Sequence, residues 1–192
     1  MTTRFFIIFL FVWNVANSQK LIPEAEKIKS AFEKFSTDTN SKSLQYNYVT
    51  EFPSDSKTFL RVFQTEKFDQ LYLESYKYLK ALEKCSRNFP KEVISKYIDI
   101  GKNLVWDADA VGGLQHLSVE LAIKQVKFFV DKYKTLDIKE QQSLINFYAD
   151  VENHNAYQEY QVLINKLNKI GETDIAKKLE TARTIRKKRQ DH

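Results

Sequence analysis

A chain of 192 residues with 43% hydrophobic and 14% aromatic side chains has enough apolar surface to offset the entropy of ordering, which excludes a disordered protein. Four glycines and three prolines are too few for the turns that a sandwich or barrel needs about every ten residues. The formal charge of +5 is unevenly spread, because residues 177–192 hold seven Lys or Arg against two acids and leave the remainder close to neutral. The composition therefore predicts an all-α protein, an irregular bundle of about seven to eight helices without a substantial sheet, with a basic C-terminal end.

The N-terminus predicts the compartment. Arg4 precedes an unbroken apolar run over residues 5–13, and Ala16-Asn17-Ser18 fits a small-x-small cleavage site. Residues 1–18 read as a secretory signal peptide and residues 19–192 as a single helical domain. The apolar run falls short of the roughly 20 residues that span a bilayer. An uncleaved N-terminal anchor is the alternative, and no later stretch has spanning character. Cys85 is the single cysteine and has no base paired with it in sequence, so it reads as a small core residue. An exported eukaryotic domain more often carries an even set of cysteines, which points to a bacterial periplasmic or secreted protein.

Taken in order, Pro23 opens a first helix with Ile28, Ala31, Phe32 and Phe35 on its apolar face. The polar STDTNSKS reads as a loop, and residues 44–52, which alternate weakly, as an irregular segment. A short helix follows Pro53-Ser54-Asp55-Ser56, burying Phe59, Leu60 and Phe63. A longer one over residues 66–85 places Phe68, Leu71, Tyr72, Tyr76, Leu79 and Leu82 at helical spacing. Pro90 opens the next, ending near Gly101. Residues 103–133 form the central helix, apolar on most sides, against which the others pack. Asp137 and Glu140 match a capping box. A helix from about residue 156 to 170 carries Tyr157, Tyr160, Leu163, Ile164 and Leu167, with Gly171 as its left-handed cap. The last helix faces Ile175, Leu179, Ala182 and Ile185 inward.

Candidate chemistry gathers at the start of the central helix. Asp107, Asp109, His116 and Glu120 lie close in sequence, and Asp109, Gly113, His116 and Glu120 share a face. His116 and Glu120 have the i, i+4 spacing of two helical metal ligands, and Gly112-Gly113 clears the flank beside them. This face suits a divalent metal or acid–base hydrolysis. The same residues also fit a mixed-charge solvent stripe continuing to Lys124, with the glycines admitting a neighbouring helix and Asp107 and Asp109 at a helix start. No established metal, nucleophile or phosphate-loop signature is present, and no cofactor is expected. Trp106 reads as a helix-entry anchor.

The remaining signals concern partners. Arg183, Arg186, Lys187, Lys188 and Arg189 form a basic end suited to an anionic surface or acidic protein, while export disfavours nucleic acid. Tyr157 and Tyr160 are candidate contact residues. The reading that follows is an exported, non-enzymatic helical protein that binds another protein in the envelope or outside the cell, for example an immunity-type inhibitor or envelope adaptor. Two alternatives remain open at this point: a hydrolase using the Asp109/His116/Glu120 face, and a carrier of a small apolar ligand.

Overall fold

A computed structural model describes residues 21–63, 70–105, 110–150 and 154–190. Within them lie ten α-helices: α1 (Pro23–Thr37), α2 (Lys42–Glu51), α3 (Ser56–Phe63), α4 (Ser75–Cys85), α5 (Pro90–Gly101), α6 (Ala110–Lys124), α7 (Val126–Lys134), α8 (Ile138–Ala149), α9 (His154–Lys169) and α10 (Thr173–Gln190). A 3-10 turn, Tyr72–Glu74, leads into α4. Among the described residues there is no strand, and no helix is long and apolar enough to cross a membrane. The all-α expectation holds. The segment read as a signal peptide lies outside the described residues.

The helix count exceeds seven to eight for identifiable reasons. Of residues 44–52, expected to be irregular, residues 44–51 belong to α2 and Phe52 is its C-cap. Ser41 caps it by accepting from the Leu44 backbone N–H, and Gln45, Tyr48, Val49 and Phe52 are buried at helical spacing. The alternation of Leu44, Tyr46 and Tyr48 masked that period, and Tyr46 is in fact exposed. The central helix also divides in two. At Gln125 the backbone leaves the helical region (φ −128°, ψ 45°), and α7 turns Phe129, Val130 and Tyr133 into the core beside α5. Of the helix expected over residues 66–85, residues 66–69 lie outside the described residues, and the described part is α-helical from Ser75, after the 3-10 turn. Its buried face runs through Tyr78, Leu79, Leu82 and Cys85, leaving Tyr76 exposed.

Several local signals act as their chemistry requires. The Asp137 side chain accepts from the Glu140 N–H, and the Glu140 carboxylate accepts from the Asp137 N–H. Gly171, with φ +86°, closes α9: its N–H donates to Asn168 and that of Glu172 to Leu167, the paired bonds of a Schellman turn.

Helix α6 is the hub, packed against α4, α5, α7, α8 and α9. Helices α1 to α3 assemble beside α4 and α5, while α10 lies against α8 and α9. The core of the first half is aromatic. Phe32, Phe35, Tyr48, Phe52, Phe63 and Tyr78 form a continuous chain of ring contacts with centroids 4.7–6.0 Å apart. Four buried tyrosines bind neighbouring helices through their hydroxyls. Tyr48 donates to the Tyr78 carbonyl (2.8 Å), Tyr97 to that of Leu79 (3.3 Å), and Tyr160 to that of Leu179 (2.7 Å). Tyr148 pairs with the Ser118 hydroxyl.

Close packing makes Gly101 informative. A Cβ there would sit 3.0 Å from Cε1 of the buried Phe147 ring, which α8 holds in place. Gly101→Ala is expected to lower stability by about 1–3 kcal/mol through overpacking, read from urea unfolding. An unchanged midpoint would show that the ring gives way.

Burial also sets a pH limit. Desolvation pushes the Cys85 thiol from its ordinary 9.0 up to about 12 and the Tyr78 phenol from 10.0 up to about 12, and raises Tyr48, Tyr97, Tyr148 and Tyr160 in the same direction. Above pH 9 the unfolded chain sheds protons that the folded chain keeps. The stability these groups contribute is therefore complete below pH 9 and lost as pH rises toward 12. The expected result is a urea midpoint that holds to about pH 9 and is clearly lower at about pH 11. In the native state at neutral pH, Cys85 should not react with a thiol reagent.

Candidate functional site

Two residues of the sequence-predicted face, His116 and Glu120, belong to a side-chain cluster whose third member is Glu159. His116 and Glu120 lie one turn apart on α6, half-buried, with His116 Nε2 3.8 Å from Glu120 Oε1. The third member comes from α9, where Glu159 Oε2 sits 2.9 Å from His116 Nδ1. A donor atom from each of the three side chains lies within 4.8 Å of the other two. Asp107 and Asp109, the acids expected to complete this face, lie outside the described residues, as does Trp106.

A lysine network borders the cluster. Lys124 Nζ is 3.5 Å from Glu120 and 3.0 Å from Glu83, and Lys80 is 2.9 Å from Glu83. These bonds and their charges hold the Glu83 carboxyl below its ordinary value against the opposing desolvation, and the Lys80 ammonium above its own. Gly113 has the packing role considered for the glycine pair: a Cβ there would come within 3.3 Å of Leu79 on α4. Glu159 gave no sequence signal, since it sits on the polar side of an amphipathic helix 39 positions beyond Glu120.

The basic end divides into two kinds of residue. Arg183 is buried and donates to the Ala149 carbonyl at 3.2 Å. Arg186 grips the Asp150 carboxylate with both Nε and Nη2. Both arginines are thus drawn to the end of α8, where free carbonyls and the helix dipole favour positive charge. Gln115 completes this arrangement from α6, its amide donating to the carbonyls of Phe147 and Asp150. Arg183 and Arg186 therefore have structural partners within the chain, and only Lys187 of the remaining basic candidates has an exposed, described side chain. The side chains of Lys188, Arg189 and Tyr157 lie outside the described ones. Tyr160 is 0% exposed and belongs to the core, not to a contact surface.

Beside the Asp150–Arg186 pair, an open groove of about 740 Å³ runs between α8 and α10. Leu104, Phe147 and Ala182 supply apolar walls, and Gln142, Asn146, Lys177 and Lys178 supply polar ones. Val105 and Ile185 are 80% and 49% exposed at this groove, so Ile185 does not face inward as its spacing suggests. The chain matches no protein-family model, no curated protein and no solved structure.

The Asp150–Arg186 pair should couple α10 to α8. A double-mutant cycle with Asp150→Asn and Arg186→Gln is expected to give a coupling of about 1–2 kcal/mol, since the carboxylate is buried while the guanidinium is partly solvated. Either single variant should also speed proteolytic cleavage within α10. Additive effects in the cycle would mean that the pair does not anchor the helix.

Proposed function

We propose that this chain is an exported, non-enzymatic helical protein that binds another protein, and that the groove between α8 and α10 receives a segment of that partner. The supporting observation is the exposure of Val105 and Ile185 at the edges of a groove with apolar walls. Solvated apolar side chains converging on a concave surface are characteristic of recognition sites. Lys177 and Lys178 stand exposed along the same groove, on a helix with seven basic residues against two acidic ones. The complementary partner segment carries apolar side chains flanked by acids. Export rests on the N-terminal charge, apolar run and small-residue site read from the sequence.

The test is affinity capture from the native envelope and medium, run in parallel with the unmodified protein and with Ile185→Asp. Ile185 is half-exposed, so the substitution should leave the helical circular dichroism unchanged. One stoichiometric protein retained by the unmodified chain and lost from the variant is the expected result. Identical retention by both would remove the groove from consideration.

A further inference from the structure

We propose that His116, Glu120 and Glu159 form a zinc-binding site that joins α6 to α9. The inference is independent of the groove and of any partner. One imidazole and two carboxylates supply three protein ligands of the kinds zinc accepts, leaving a fourth position for water. Two of them come from one helical turn, where i, i+4 spacing directs both side chains to the same side, and the third comes from the helix packed alongside.

The distances are those of a set awaiting small adjustment. Donors on a common tetrahedral zinc stand roughly 3.3 Å apart, given bonds of about 2.0–2.2 Å. The three donor atoms here already lie within 4.8 Å of one another, and one nitrogen–oxygen pair is at 2.9 Å. Half-burial leaves all three side chains a route to solvent and room to change rotamer. Their backbones sit on helices that anchor them through Leu117, Leu121, Leu163 and Leu167, all nearly or fully buried.

Charge favours a cation. Glu83, Glu120 and Glu159 face Lys80 and Lys124, so the network sets three carboxylates against two ammonium groups. Lys124 is the natural competitor for Glu120, but it lies nearer Glu83 (3.0 Å against 3.5 Å) and retains that partner when Glu120 turns to a metal. Binding uses an imidazole nitrogen that carries no proton: a neutral ring supplies it in the matching tautomer, and only an imidazolium releases a proton to solvent as zinc enters.

The experiment is titration of the purified, metal-free chain with zinc chloride, followed by calorimetry and by thermal melting. One zinc per chain is expected, with a rise in melting temperature of about 5 °C or more at a hundredfold excess over the dissociation constant. Glu159→Gln and His116→Gln should each weaken uptake at least about tenfold while keeping the helical circular dichroism, and Glu120→Gln replaces either one that fails to fold. Lys124→Met should tighten uptake by removing the competitor, a gain that a merely structural role for these residues would not produce. Ile185→Asp should leave uptake unchanged, separating this site from the groove. Absence of saturable uptake, or one-to-one uptake insensitive to the ligand variants, would overturn the assignment.

Discussion

The end of α8 is the point on which the second half of the molecule depends. A helix terminus carries carbonyls with no partner in their own helix, and burying them unpaired costs about 1–3 kcal/mol each. Here α6 and α10 supply the donors: Gln115 reaches the carbonyls of Phe147 and Asp150, and Arg183 reaches that of Ala149. Arg186 adds a two-point ion pair to the Asp150 carboxylate. The requirement of one helix end thus fixes the positions of two others. It also explains why arginines that suggest a free basic tail in the sequence are drawn inward at the α8 end.

The buried hydroxyls extend the same logic through the core. Phenylalanine would fill these places with similar volume, but it gives no direction. Tyr48 and Tyr97 each aim a hydroxyl at successive carbonyls of α4, so α2 and α5 are set against the same turn of that helix. Tyr148 does this between α8 and α6, and Tyr160 between α9 and α10. Leaving a buried hydroxyl unpaired costs free energy, so each of these four tyrosines disfavours packings that would leave it without a partner. With few glycines in the chain, such contacts help select one arrangement of the ten described helices.

How much was legible follows from the range of each interaction. The Asp137–Glu140 box and the Gly171 turn are local, so residue type and spacing identify them directly. The apolar period of α6 likewise announces a helix buried on most sides. The break at Gln125 has no glycine or proline to mark it, and residues on both sides continue the apolar period. Helix α2 was hidden by an alternation in which Tyr48 is buried and Tyr46 is exposed, a distinction that depends on what packs alongside. Tyr160 illustrates the same limit: its residue type suggests a contact surface, while its side chain is fully buried and its hydroxyl donates to Leu179 of α10.

The site was half legible for a related reason. His116 and Glu120 are neighbours because α-helical geometry makes them so, whatever else the chain does. Glu159 joins them only because α9 packs on α6, and that pairing is decided by Leu163, Ile164 and Leu167 meeting a hub whose faces are shared among five helices. The polar residue is carried into place by its apolar neighbours. The α9 helix consequently has two duties, since it presents Glu159 to α6 and binds α10 through the Tyr160 hydroxyl one residue further on.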